Sequence, residues 1–130
     1  MATTPVKIEI DGYKAREVYM VTYEFEKATD VEGQMSGIAR GGKIHLIVKA
    51  LNDGNPDLMA WMIDKNLAKD GVITFLETKN NTTMKTIAFK TAYCVAYEER
   101  WEDKVGHVEE FTITCRQIEF GNVTYTNDWA

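Results

Sequence analysis

Apolar and polar residues alternate at every second position through much of the chain, which predicts β-strands. In residues 6–10, for example, Val6, Ile8 and Ile10 alternate with charged side chains before an Asp-Gly turn. Further strand-like runs cover residues 16–26, 43–50, 72–78, 84–89, 91–98 and 110–120. The 84–89 and 91–98 runs fit either two strands or one long bent strand. Together these runs predict a mainly β domain of about seven strands, built as a barrel or as two packed antiparallel sheets.

One amphipathic segment interrupts the strands and predicts a single flanking helix. Asn55 suits the N-cap, and Pro56 suits the first helical position. The apolar side chains recur at i, i+3 and i+4 and are Leu58, Trp61 and Met62. Gly71 is a favourable residue for ending a helix, so we expect the segment to form about four turns.

Several predicted strands carry apolar residues on both faces. In residues 18–25, Val18 and Met20 lie on the face opposite to the aromatic residues. In residues 72–76, Val72 and Leu76 lie on the face opposite to Ile73 and Phe75. A sheet with one solvated face should instead alternate cleanly, and a single helix is too short to cover the excess. We therefore expect Val18, Met20, Val72 and Leu76 to lie at subunit interfaces, the alternative being a monomer whose loops cover them.

Composition describes one ordinary domain. The 130 residues are 45% hydrophobic and 27% charged, and no linker or repeat divides them, so residues 1–130 are predicted to form a single domain. The net charge of -5 and the lack of a Lys/Arg cluster argue against nucleic-acid binding. No apolar run resembles a signal peptide or reaches the ~20 residues of a membrane span, so we expect a protein made in the cytoplasm without membrane insertion.

Candidate catalytic and ligand motifs are weak. Residues 37–43 fit G-x-x-x-x-G-K, but Ile44 stands where a magnesium-binding Ser or Thr is needed, and a strand follows instead of a helix. His45 and His107 lack a nearby His or Cys, which argues against a metal site. We therefore expect no catalytic residue, no metal and no cofactor.

The cysteines and the carboxylates both have ordinary structural interpretations. Cys94 and Cys115 fit buried, reduced thiols better than a disulfide between neighbouring strands, although the pattern permits both. Six carboxylates between Glu98 and Glu110 are interspersed with Arg100 and Lys104, which predicts a solvated, charge-balanced surface rather than an acid–base pair. Those carboxylates are Glu98, Glu99, Glu102, Asp103, Glu109 and Glu110.

The glycine-rich residues 33–42 predict an extended, mobile loop. Met35 and Ile38 have no local core to join, which favours an arm that docks on a neighbouring molecule over a loop in solvent.

Family motifs run in order along nearly the whole chain. They are Tyr-Glu-Phe and Arg-Gly-Gly within 21–42, Leu-Met-Ala-Trp-Met at 58–62, Lys-Asp-Gly at 69–71, Tyr-Cys-Val-x-Tyr at 93–97, Phe-Thr-Ile-Thr at 111–114 and Asn-Asp-Trp at 127–129. With these motifs the chain resembles the Hcp/TssD tube proteins of type VI secretion, in their Bacteroidota-type branch. Glu26 and Lys27 stand where that family has a His-Gln pair. The loop interior at 34–39 also differs from the common family pattern.

The resemblance implies a phage tail-tube-like β-barrel with one helix and a mechanical, non-enzymatic role. Hexameric rings would stack into a hollow tube, which a contractile sheath and spike/baseplate proteins would drive with effector proteins in its lumen. The protein would leave the cytoplasm by that secretion route. The residues expected to dock on the adjacent ring are Gly33, Met35, Ile38, Arg40, Gly41 and Gly42. Two alternatives stay open: a monomeric β-barrel binding a small apolar ligand, and an enzyme with a shallow carboxylate site.

Overall fold

The computed structural model describes residues 6–51, 53–77, 82–104 and 106–127, and for residues 28, 35, 36, 38, 39 and 77 the backbone alone. The elements of the described residues follow in the order β1 (Val6–Ile10), β2 (Arg16–Tyr23), β3 (Glu26–Thr29), β4 (Met35–Arg40), β5 (Lys43–Lys49), α1 (Asp57–Ile63), β6 (Lys69–Glu77), β7 (Thr82–Glu102), β8 (Gly106–Phe120) and β9 (Val123–Thr126).

Six antiparallel strands close into a barrel. They follow the order β5-β2-β1-β6-β7-β8, and β5 pairs again with β8, which removes the free edges of the sheet. Strand β9 adds to the far side of β8, while β3 and β4 form a separate two-stranded sheet. The prediction of a mainly β barrel with one helix is confirmed.

Alternation along the strands fills the barrel interior. Ile8 and Ile10 of β1 and Ile44 and Leu46 of β5 point inward and are almost fully buried. Trp61 of α1 is also fully buried, its ring centroid lies 6.3 Å from that of Phe111, and its indole N–H donates to the Leu67 carbonyl at 3.0 Å. The helix therefore packs onto the barrel through the apolar face that its sequence predicts.

The helix is shorter than predicted. It ends after Ile63, because the Asp64 carboxylate accepts the N–H of Asn66 at 2.9 Å and turns the chain. Gly71, expected near the helix end, lies instead inside β6 between Ile10 and Phe89. Its lack of a side chain serves packing, since a Cβ there would lie 2.4 Å from the Phe89 ring.

Strand β7 is one long bent strand, which decides between the two interpretations of residues 84–98. Thr91 has a φ of 51°, and the pairing of β6 with β7 shifts register at Lys69 and Gly71 opposite this point. The Thr91 N–H donates to Asp70 Oδ1 at 2.9 Å. The bend lets the two halves of β7 follow the curved barrel wall, as bulges commonly do.

Candidate assembly surface

The predicted docking loop is a β-hairpin. Strands β3 and β4 pair with Glu26 opposite Arg40, and residues 30–34 form the turn. Asp30 Oδ1 accepts the backbone N–H groups of Glu32 and Gln34, both at 2.9 Å, as an Asx side chain does in tight turns. The segment predicted to be an extended loop is instead half of a paired hairpin, because β4 pairs with β3 and Asp30 closes the turn between them; its mobility stays a prediction. We call residues 26–40 the arm.

The predicted docking residues are spread along the arm and its attachment. Gly33 lies in the turn, Met35 begins β4 and Arg40 ends it, exposed to solvent. The side chains of Met35 and Ile38 lie outside the described residues, so their contact role stays a prediction. Gly41 and Gly42 form the attachment of the arm to β5, and their docking role likewise stays a prediction.

Sequence reasoning missed a fully exposed apolar residue of the arm. Val31 sits in the turn with a relative exposure of 103%, flanked by the acidic Asp30 and Glu32. A β-branched apolar residue within a turn between two carboxylates is a poor turn former, and that signal could have identified it.

An aromatic cluster supports the attachment of the arm to the barrel. The Phe25 ring centroid lies 4.8 Å from Tyr125 and 5.8 Å from Phe120, and Tyr23 lies 5.3 Å from Phe120. The edge-on arrangement of Phe25 against Tyr125 is favourable for aromatic pairs. The cluster joins β2, the start of the arm, β8 and β9.

The outer barrel face carries three of the four predicted interface residues. Met20 pairs with Ile47, and Val72 pairs with Ala88. These four residues lie on the outward side of the barrel wall and are partly exposed. Leu76, beside a register shift in β6, is also half-buried. These residues form a candidate contact surface.

The prediction for Val18 is wrong. A bulge between Val18 and Met20 interrupts the alternation of β2, so these two residues face opposite sides. Val18 pairs with Val48 in the barrel core and is only 2% exposed, which leaves it no surface for a neighbouring subunit.

A chain of polar contacts crosses the outer surface of β5, β8 and β7. His45 contacts Thr112 Oγ1 through Nδ1 at 2.7 Å and Glu110 Oε2 through Nε2 at 2.5 Å. Arg100 Nη1 donates to Glu110 Oε1 at 2.6 Å and to Glu98 at 2.9 Å. The hydrogen bond from Arg100, and then that from His45, lower the pKa of the Glu110 carboxyl. The surface is charge-balanced here, as expected for Glu98 and Glu110.

Glu109 departs from that expectation. Its side chain is 5% exposed on the inward side of β8, where one oxygen pairs with Arg16 and the other accepts the Tyr97 hydroxyl. Burial, followed by the hydrogen bond to Glu109, raises the pKa of Tyr97 well above its usual value. Because the partner Arg16 is 93 residues away, no local pattern marks Glu109 as buried.

Both cysteines are buried free thiols, as the favoured interpretation predicted. Burial raises the pKa of Cys94 to about 11 and that of Cys115 to about 12. Such thiols are poor nucleophiles near neutral pH, because the reactive thiolate is scarce.

Within the described residues, no three His, Cys, Asp or Glu side chains are grouped to hold a metal ion. The same part of the chain contains no helix long and apolar enough to span a membrane. A cleft of about 520 Å³ opens beside the arm's attachment, lined by the polar side chains of Arg40, Lys43, His45 and Thr112 among others.

Comparisons with known proteins agree with the fold and motifs. The family model described as Hemolysin coregulated protein Hcp (TssD) matches residues 3–130, so the chain belongs to the Hcp/TssD family. The structure of Hcp1 from Flavobacterium johnsoniae superposes with a TM-score of 0.86 at 31% identity, covering 94% of this chain and 98% of that one. This similarity agrees with the Bacteroidota-type resemblance of the sequence.

More distant structures share the fold alone. Hcp1 from the E. coli EAEC 042 pathovar is 13% identical with a TM-score of 0.77, over 98% of this chain and 100% of that one. A chain of an extracellular contractile injection system, from a structure of the PVC sheath/tube terminator, is 15% identical with a TM-score of 0.58. The match covers 93% of this chain and 96% of that one. Among curated proteins, none matches the chain.

Proposed function

We propose that this chain is the structural subunit of a type VI secretion inner tube. Six copies form a ring, and rings stack into a hollow tube that a contractile sheath propels with effector proteins in its lumen. The match of the family model over residues 3–130 carries this proposal. The role is mechanical, so the protein needs neither a catalytic residue nor a cofactor.

The surfaces of the subunit suit a heterologous assembly, in which one surface of each copy meets a different surface of the next. The outward Met20, Ile47 and Val72 supply apolar area for a neighbour in the ring. The arm is a sheet of its own with an exposed end at Val31, which gives it reach toward an adjacent ring. Thr, Lys and Glu positions on the strands would give the tube a polar channel wall.

The rival function of a small-ligand barrel has less support, because the barrel is full. Trp61, Phe89 and Phe111 occupy the interior with at most 1% exposure, together with the inward isoleucines. Small ligands usually bind in mainly apolar cavities of roughly 300 Å³ or more. The cleft of about 520 Å³ beside the arm is lined mainly by polar residues and lies outside the apolar core. The buried side chains of the interior form one continuous apolar cluster, which favours a filled core over a ligand site.

Negative-stain imaging of the purified protein tests the proposal directly. We expect six-membered rings and, at higher concentration, stacks of rings. Dispersed ~15 kDa particles at every protein and salt concentration would overturn the tube assignment. Analytical ultracentrifugation of the same samples measures the ring mass in solution.

A double variant tests the role of the arm separately. Met35→Ser with Ile38→Ser should weaken ring stacking and leave single rings intact, while Val123→Ser on β9 serves as a control. Unchanged stacking would contradict the docking role of these two residues without touching the family assignment.

A further inference from the structure

The arm joins the barrel through two short connections that both meet strand β9. Residues 24 and 25 lead from β2 into β3, and Gly41 and Gly42 lead from β4 back into β5. Tyr125 of β9 and Asn127, which directly follows the strand, lie beside them. These two connections and the end of β9 thus meet at one corner of the subunit.

Gly41 is hydrogen-bonded to both Tyr125 and Asn127. Its N–H donates to the Tyr125 hydroxyl oxygen at 3.1 Å, and its carbonyl accepts a long hydrogen bond from Asn127 Nδ2 at 3.4 Å. The Tyr125 hydroxyl in turn donates to Asn127 Oδ1 at 2.7 Å. A Cβ at Gly41 would lie 2.3 Å from the Phe25 ring, so that ring closes the corner from the other side.

Gly42 ties the same corner to the barrel wall. Its carbonyl accepts the Cys115 N–H at 2.7 Å, and Asn127 Nδ2 donates to the Cys115 carbonyl at 2.8 Å. The φ of Gly42 is +98°, a conformation that favours glycine, and a Cβ there would lie 2.2 Å from Asn127 Nδ2. Asn127 is itself fixed, since its own N–H donates to the Arg116 carbonyl at 2.6 Å.

We infer that Tyr125 and Asn127 are positioning residues that clamp the Gly41–Gly42 corner and set the direction of the arm. One asparagine amide bridges the arm attachment and β8, and one phenol joins the arm attachment to that amide. The arm's turn, which lies away from this corner, inherits its direction from it. Strand β9 thus supports the attachment of the arm and is not a seventh strand of the barrel.

The consequence for assembly rests on the proposed tube function. When one ring meets another, several arms must engage at once, and arms already held in the productive direction lose less conformational entropy on docking. A loosened corner lowers the effective concentration of each arm for its site, and this loss is repeated around the ring. We therefore expect the clamp to affect stacking far more than folding.

Two variants remove the clamp in different ways. Asn127→Ala removes the amide that bridges Gly41 and Cys115, and Tyr125→Phe removes the hydroxyl while keeping the ring against Phe25. Thr124→Ala and Thr126→Ala change exposed residues on the same strand and serve as matched controls. Each variant is compared with the parent in ring mass, unfolding midpoint and the protein concentration at which stacks appear.

Spin labels measure the arm direction itself. Cysteines introduced as Lys7→Cys on β1 and Glu32→Cys in the arm turn are both exposed, whereas the native thiols are buried. Labelled subunits diluted with unlabelled ones before assembly give the distance distribution within one subunit. We expect a narrow distribution in the parent and a broader or shifted one in Asn127→Ala.

The expected outcome is intact rings, an unfolding midpoint close to the parent's, and a roughly tenfold or greater rise in the concentration needed for stacking. Unchanged stacking with an unchanged distance distribution would overturn the clamp. Loss of rings or of folding in both variants would assign these residues a purely structural role and overturn it too. If the parent forms no rings, the proposed function fails, and the label distances alone then decide whether the clamp exists.

Discussion

The Tyr97 hydroxyl donates a hydrogen bond of 2.5 Å to Glu109 Oε2, while the other oxygen of Glu109 pairs with the buried guanidinium of Arg16. Arg16 also reaches the Lys49 carbonyl at 3.4 Å. The charges of Arg16 and Glu109 are thus both buried, and each compensates the other. A buried ion pair of this kind contributes little net stability compared with apolar packing, but its members depend strongly on one another.

Glu109→Gln should destabilise the fold by about 3–5 kcal/mol, because it keeps the shape of the side chain and leaves the Arg16 charge buried without a counter-ion. Urea denaturation followed by tryptophan fluorescence measures the free energy of unfolding. Glu102→Gln, at an exposed position of β7, is the control and should leave that free energy unchanged. A loss of about 1 kcal/mol or less for Glu109→Gln would show that Arg16 finds water or another partner.

Alkaline pH should unfold the protein through its buried thiols. The pKa of Cys115 is about 12 in the folded state and that of Cys94 about 11, both above the ordinary value of 9.0. Between the ordinary and the folded pKa, the unfolded chain releases protons that the folded chain keeps, so stability falls as pH rises. Each thiol contributes a slope of about 1.4 kcal/mol per pH unit in this window.

Cys115→Ala tests that assignment. The variant is expected to be less stable at neutral pH, but its unfolding free energy should fall less steeply between pH 9 and 11 than that of the parent. Urea denaturation at successive pH values gives both slopes. Identical slopes in the two proteins would assign the alkaline loss to other groups, such as Tyr97, whose pKa burial also raises.

Gly71→Ala should strongly destabilise the barrel. The new Cβ would lie 2.4 Å from Phe89 Cζ and 2.6 Å from the backbone carbonyl oxygen of Glu9, which belongs to the neighbouring strand and cannot move aside alone. We expect a cost of about 3 kcal/mol or more, at the upper end of overpacking effects.

Gly54→Ala separates this packing effect from a backbone effect. Gly54 has a φ of +75°, and a Cβ there meets no described heavy atom within 4 Å. The cost should be only that of placing alanine in the left-handed region, about 1–2 kcal/mol. Equal unfolding free energies for the two variants would contradict the close packing at Gly71.

The sequence patterns predicted structural features that depend on residues close in the sequence. They failed for features that are determined by contacts with a distant strand. Alternation in residues 6–10 and 43–50 correctly predicted strands, and the apolar Ile8, Ile10 and Leu46 of these strands are buried. Gly71 carries a local signal for a helix end, but its place is set by Phe89 on the adjacent strand. The burial of Glu109 depends on its ion pair with Arg16, which lies 93 residues earlier in the sequence.

The candidate assembly surface shows the same division. The glycine-rich residues 33–42 cover only the second half of the arm and its attachment, and the hairpin pairing depends on β3, whose four residues carry a weak strand pattern. The face of Met20 follows the prediction, whereas that of Val18 does not, because one bulge in the pairing with β5 changes the alternation. Bulges are a property of two paired strands, so a pattern read along one strand does not reveal them.

Val72→Glu should prevent ring formation and leave the subunit folded. Val72 lies on the outward side of β6 opposite Ala88, so a carboxylate there reaches solvent in a single subunit but is buried without a partner in a ring. The matched control is Val123→Glu, an exposed valine on β9 outside the predicted interface. Ultracentrifugation should find monomers for Val72→Glu and rings for Val123→Glu, with similar circular dichroism spectra for both. Rings that tolerate Val72→Glu would place the subunit interface on another face of the barrel, and monomers in both variants would show a general sensitivity to added charge.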